Sequence, residues 1–280
     1  MTAAAPSVPS TRLAFIGGGN MASALIGGLL ARGLEPASIQ VVEPFEGARD
    51  RLRQQFGIAA ALAPEAALAD AGLVVWAVKP QTFAEAAAQA RPFVDPGALH
   101  LSVAAGIRSN SIGTWLGTTR VVRAMPNTPA LVGQGMTGLF ARDAVTAADR
   151  AQVEQVIAPS GEWIWVDAEE QLDAVTALSG SGPAYVFLFL EAMIQAGAEM
   201  GLAREQAARL AVGTFAGATE LARRSQEPPT VLRERVTSKG GTTYAAITSM
   251  QQDQVPAHFV KALHAARTRA RELGDEFGSA

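Results

Sequence analysis

The stretch LAFIGGGNMASALIGGLLARG, residues 13–33, restricts what this chain can fold into more than any other. It reads as an apolar strand, a turn of three glycines and a helix of small residues. In Gly17-x-Gly19-x-x-Ala22 each position has its own role. The first glycine permits a tight turn, the second lets the backbone approach a pyrophosphate, and the third small residue seats the helix on a sheet. N–H groups at the start of such a helix face the phosphates. Gly17, Gly18, Gly19, Asn20, Met21 and Ala22 are therefore candidate nucleotide contacts.

The same grammar continues up to about residue 167. The runs LAFIG, IQVVE, LVVWAV, ALHLSVAAG, RVVRAM and EWIWV are strand-like, with helical stretches between them. Such alternation predicts an α/β Rossmann-type domain over residues 12–167, with a mainly parallel sheet covered on both faces. Residues 1–11, rich in Ala, Pro and Ser, read as a flexible tail without the features of a signal peptide. From residue 168 to 280 the strand signal stops and apolar residues recur at helical spacing, so this part reads as an all-α domain. Its Gly197, Gly201, Gly213 and Gly217 permit close helix approach, and pairing with a second copy as a two-fold dimer is expected.

Composition narrows the function. The chain has 280 residues, 49% of them hydrophobic, with a formal net charge of −3. No basic field invites nucleic acid or an anionic membrane, and small molecules are the expected partners. The sequence has no cysteine, which excludes disulfides, thiolate metal sites and a cysteine nucleophile. No uninterrupted apolar window is long enough to span a bilayer, so a soluble, cytoplasmic protein is expected.

Further candidates sit at strand ends. Glu43, closing the second strand, is positioned to bond the ribose hydroxyls of NADH, an inclination that Arg49 and Arg51 could offset for NADPH. Val78-Lys79-Pro80, Ala104-Ala105-Gly106 and Asn127-Thr128-Pro129 follow later strands, where an open α/β sheet binds its ligand. Lys79, Pro80, Ala105 and Asn127 join the cofactor set with Val78. The three histidines, His100, His258 and His264, have no metal-ligand spacing and form no triad, and the 26 acidic residues are scattered, so no metal site is expected. Hydride transfer remains open because its reactive group belongs to a cofactor.

The ordered set FIGGGNM, AVKP, VAAG, RAMPNTP, DAVTALSGSGPAYVF and VTSKGGTT resembles the pyrroline-5-carboxylate reductases over nearly the whole chain. The resemblance implies NADPH- or NADH-dependent reduction of a C=N bond in 1-pyrroline-5-carboxylate, giving L-proline in the last step of proline biosynthesis. It implies a helical domain that dimerises, sometimes within a decamer. Carried over by position, Glu169, Thr242 and Thr243 are substrate-side, with the Thr243 hydroxyl facing the ring nitrogen as the catalytic group. Ser179 and Ser181 line a wall beside the nicotinamide. Here SGSGP is expected to start a buried helix, with Ser181 or Gly182 as N-cap and Pro183 in the first turn. Lys239, Pro64 and Arg235 depart from residues found in many members. Another imine reductase, a β-hydroxyacid dehydrogenase and a non-enzymatic dinucleotide sensor are the alternatives.

Overall fold

A computed structural model describes Pro9 and residues 11–278, so the expected tail lies outside the described residues apart from Pro9 and Thr11. The chain divides into two units. One holds the described residues up to Ser181 together with those from Ala266 onward, and the other holds Gly182–Ala265.

The first unit is built on seven strands: β1 (Leu13–Ile16), β2 (Ile39–Val42), β3 (Leu73–Trp76), β4 (Leu99–Ser102), β5 (Val121–Met125), β6 (Gly135–Ala141) and β7 (Gly161–Trp165). Their spatial order is β2-β1-β3-β4-β5-β6-β7, and only the β5–β6 pairing is antiparallel. The mainly parallel Rossmann-type sheet expected from the alternation is present. Strands β1, β3 and β4 are buried along their whole length, as a sheet covered on both faces requires. Leu13, Phe15, Leu73 and Val75 pack on one face with α1 (Asn20–Ala31) and α5 (Ala147–Ile157). Ala14, Ile16, Val74 and Trp76 pack on the other with α3 (Phe83–Ala90) and α4 (Ser109–Leu116). Helix α2 (Glu46–Phe56) follows β2 and buries Leu52. Beyond β2 the chain adds a parallel bridge, Val42 to Ala61.

Strand β6 is absent from the sequence expectation. GMTGLFA carries two glycines, which weaken a strand signal, and each makes room for a neighbour. A Cβ at Gly138 would meet Val175 at 2.7 Å, and one at Gly135 would meet the Ser160 carbonyl oxygen at 2.8 Å.

His100, on β4, is buried and accepts a hydrogen bond at its Nδ1 from the Trp76 indole N–H at 3.0 Å. Burial, aided by the nearby Arg120 charge, lowers its pKa from 6.5 to about 4. The unfolded chain therefore binds a proton below pH 6.5 that the folded chain refuses until about pH 4. Stability is fully present above pH 6.5 and is lost as pH falls toward 4, by about 2–3 kcal/mol from this group at the lower end. Urea titrations at pH 7.5 and pH ~4.5 are expected to give a smaller difference in His100→Asn, which keeps an acceptor for Trp76 but cannot take up the proton.

The helical run after β7 departs from expectation. It comprises α6 (Gln171–Val175), a π-turn over Thr176–Gly180 and α7 (Gly182–Glu199). Ser181 has φ −85° and ψ −14°, helical rather than extended, and its N–H donates to the Thr176 carbonyl at 2.8 Å. It is a link in a helical path and not an N-cap. Gly180 allows the π-turn to lie on Met125, whose Cε would be 2.6 Å from a Cβ there.

The second unit contains α7, α8 (Arg204–Arg224), α9 (Pro229–Arg235), α10 (Thr242–Gln252) and the opening of α11 (Val255–Gly278). Gly197 brings α7 close to α8, since a Cβ on it would meet the Ala207 Cβ at 2.8 Å. Tyr185 and Phe189 set edges against the Phe259 ring at 5.6 and 5.7 Å. The expectation of a buried helix over AYVFLFLEAM is not met in the single chain, where Phe187, Leu188 and Phe189 are exposed, as are Leu210, Val212 and Val260. The run Gln171–Glu199 has the length and composition of a membrane-spanning helix, although Glu191 and Glu199 interrupt its apolar surface.

Candidate active site

In the first unit the strand order reverses between β1 and β3, and the carboxyl ends of these strands flank the crevice where doubly wound sheets bind ligands. Gly17 leaves β1 with φ +98°, a conformation that glycine alone adopts at low cost. It also touches the end of β3: a Cβ would lie 2.6 Å from the Ala77 carbonyl oxygen. Gly19 is the N-cap of α1, with no side chain capping it, and a Cβ there would meet nothing within 4 Å. The turn thus presents open space in front of the free N–H groups of Asn20, Met21 and Ala22, a cradle suited to a pyrophosphate.

Other predicted positions gather at the same edge of the sheet. Val78, Lys79 and Pro80 follow β3, with Lys79 exposed and Pro80 opening a short 3₁₀ turn. Ala105 follows β4, beside Gly106 at φ +73°. Asn127 follows β5, and both ends of its amide are in use. Its Nδ2 donates to the Ser179 carbonyl at 3.0 Å, and its Oδ1 accepts the Met136 N–H at 2.9 Å. Asn127 therefore ties the π-turn to the start of β6. The Ser179 hydroxyl donates to the Val175 carbonyl. Glu43 follows β2 and is buried, its carboxylate accepting the N–H groups of Gly18 and Phe45.

Glu169 lies after β7 in a network that sequence reasoning did not anticipate. Its carboxylate accepts from Arg123 Nη1 at 2.7 Å, from the Ser109 N–H at 2.6 Å and from the Ser109 hydroxyl at 2.7 Å. Alongside, Arg108 forms a two-pronged bond to Asp173 at 3.1 and 2.8 Å. Burial alone would raise the Glu169 carboxyl, but the Arg123 charge and the Ser109 hydrogen bonds overcome it and hold the pKa below the ordinary carboxylate value. Burial is also the largest influence on Arg123 and lowers its pKa, with Glu169 opposing. A sequence signal existed: RVVRAM places an arginine inside an otherwise apolar strand, where it needs a partner.

Thr242 and Thr243 belong to the second unit. Gly240, at φ +78°, turns the chain and Gly241 serves as N-cap, so the two threonines open α10 and their N–H groups are free of helical acceptors. Arg235 is paired with Glu227 in the same unit. Among the described residues no group of three or more His, Asp or Glu side chains could hold a metal ion.

The glycine turn at the reversal point and the helical unit after it define a Rossmann-type, nicotinamide-dinucleotide oxidoreductase. A family profile for NADP oxidoreductases, coenzyme F420-dependent, matches residues 12–106, and one for pyrroline-5-carboxylate reductase dimerisation matches residues 169–273. A pyrroline-5-carboxylate reductase from Pseudomonas aeruginosa is 46% identical over 268 residues, covering 95% of this chain and 98% of the relative. The solved pyrroline-5-carboxylate reductase of Coxiella burnetii superimposes with a TM-score of 0.88 at 37% identity, covering 95% of this chain and 99% of that one. The Plasmodium falciparum pyrroline carboxylate reductase, solved with NADP bound, gives 0.84 at 27% identity, covering 96% and 100%. The chain belongs to the pyrroline-5-carboxylate reductase family.

Proposed function

We propose that this chain reduces the C=N bond of 1-pyrroline-5-carboxylate to L-proline, using NADPH or NADH. The likeness to named reductases along both units carries this conclusion. The bound dinucleotide supplies the hydride. The residues Gly17 to Ala22 would hold its pyrophosphate, and Val78, Lys79, Pro80, Ala105 and Asn127, after β3, β4 and β5, would be its further contacts.

On the substrate side, the N–H groups of Thr242 and Thr243 suit the fixed carboxylate, since a helix start favours negative charge. In the second unit the Thr243 hydroxyl is the group for the ring nitrogen, and in the first unit Ser179, Ser181 and Glu169 are the further substrate-side groups. A protonated imine is already electrophilic, so the nitrogen becomes a neutral amine without a buried general base. That suits a chain in which the buried histidine, His100, lies within the sheet. The functional division proposed at residues 167 and 168, between a nucleotide-binding part and a substrate and dimerisation part, falls before the end of the compact sheet unit at Ser181. Helix α6 and the π-turn therefore belong to that unit while being read as the start of the substrate part. Self-association as a homodimer covers the exposed apolar faces of α7 and α8, and assembly into a decamer is compatible with it. A cytoplasmic location suits a soluble biosynthetic enzyme.

The decisive experiment supplies 1-pyrroline-5-carboxylate with each reduced cofactor and follows loss of nicotinamide absorbance. Turnover with at least one cofactor is expected, and a folded protein inert with both would sink the proposal. In Thr243→Val, kcat is expected to fall by roughly 100-fold, the low end for a lost proton-transfer or hydrogen-bonding group. The cofactor KM should stay near that of the parent, and an unchanged kcat would remove Thr243 from the chemistry.

A further inference from the structure

An acid closing the second strand of a nucleotide-binding sheet is expected to reach toward the adenosine ribose. In this chain the Glu43 carboxylate is held by the protein's own main chain. It is only 5% exposed, and both carboxylate oxygens are engaged by main-chain donors. The Gly18 N–H donates to Oε2 at 2.7 Å, and the Phe45 N–H donates to Oε1 at 2.8 Å. The stem is fitted to the turn as closely as the head. A Cβ on Gly18 would lie 3.3 Å from both Cβ and Cγ of Glu43 and 2.6 Å from Leu52 Cδ1. A bare position 18 and an acid at 43 therefore make one matched pair.

The backbone of residue 43 is fixed as well. Its N–H donates to the Ala61 carbonyl at 2.9 Å, and the Arg49 guanidinium donates to the carbonyls of Glu43 at 3.0 Å and Pro44 at 2.7 Å. Arg49, the residue that could have offset the charge of Glu43, thus braces its main chain. Hydrogen bonds from N–H to an ionised carboxylate are the stronger kind, and burial strengthens them further.

We propose that Glu43 is a positioning residue: it holds the glycine turn in its cofactor-ready shape through the Gly18 N–H, and serves NADH and NADPH alike instead of choosing between them at the ribose. This rests on the cofactor use proposed above. With the Gly18 N–H committed to Glu43, the donors left for the phosphates begin at Gly19.

The test combines a readout without cofactor and one with it. Hydrogen–deuterium exchange of the peptide covering residues 15–22 is measured on the cofactor-free enzyme, and kcat and KM are measured with both cofactors, for the parent, Glu43→Ala and Glu43→Gln. In Glu43→Ala, exchange of the turn is expected to quicken by about 10-fold or more, as the loss of one charge-assisted hydrogen bond predicts. The KM values for NADH and NADPH should rise together by a similar factor, with kcat at saturation retained. Glu43→Gln keeps one acceptor and should fall between parent and Glu43→Ala in both readouts.

Exchange that matches the parent overturns the proposal, and so does a loss confined to NADH, which would mark Glu43 as a ribose ligand. Should Glu43→Ala fail to fold, Glu43→Gln decides by the same two criteria. Should the parent use neither cofactor, the proposed function fails while the exchange rates still decide whether Glu43 holds the turn.

Discussion

Gly17→Ala is expected to lose measurable cofactor binding and to lower the melting temperature by about 10 °C. Two costs add. The φ of +98° is unfavourable for any residue with a Cβ, and the new methyl would be 2.6 Å from the Ala77 carbonyl oxygen and 2.8 Å from its carbon. Those are backbone atoms at the end of β3, so relief requires moving the strand end that carries Val78 and Lys79. Left-handed strain of ~1–2 kcal/mol and overpacking of ~1–3 kcal/mol sum to about 2–5 kcal/mol, which for a chain of this size is a shift on the order of 10 °C. Thermal melts with isothermal titration of NADH and NADPH check both parts. A variant with the parent's melting temperature and affinity would mean that the turn tolerates a side chain.

The second large effect is expected at the Glu169 network. Glu169→Ala leaves Arg123, itself only 5% exposed, as a buried cation without its carboxylate, and strips the Ser109 N–H and hydroxyl of their acceptor. Breaking one side of a buried pair costs about 3–5 kcal/mol, whereas replacing both sides with well-packed apolar residues is often close to neutral. Arg123→Met combined with Glu169→Met should therefore recover much of the stability lost by Glu169→Ala alone, as measured by urea unfolding at neutral pH. The same pair of variants separates two roles for Glu169. If the double variant regains stability and turnover together, the carboxylate serves the fold, and if stability returns while kcat stays low, it also serves the substrate.

These residues mark what was legible from sequence. The glycine turn between β1 and α1 could be read directly, because its shape belongs to the backbone and glycine spacing is enough to specify it. Arg123 announced itself as a charge within an apolar strand, but its partner lies 46 residues away, and separation of that kind leaves no local pattern. Glu43 stands at the expected strand end with a different contact, since the direction of its carboxylate depends on the turn folding against it. β6 escaped because Gly135 and Gly138 trade strand propensity for room against Ser160 and Val175. The SGSGP stretch looked like a helix start because Ser, Gly and Pro commonly stand there. Here contact between Gly180 and Met125 favours a widened helical turn, a tertiary effect that outweighs local preference.

The last turns of α11 bear on how the chain folds as it is made. Residues from Ala266 onward pack with the sheet unit: Leu273 and Phe277 lie against Gly106, in the loop that carries Ala105, and Gly274 passes the Arg108 guanidinium. The helix is therefore a late-arriving part of the unit that begins first. As the chain is made, β1 to β7 can pair early, yet the loop after β4 acquires Leu273 and Phe277 as neighbours only once α11 has followed. Completion of the loop that carries Ala105 is thereby deferred until α11 has been made, across the whole helical unit that intervenes in the sequence.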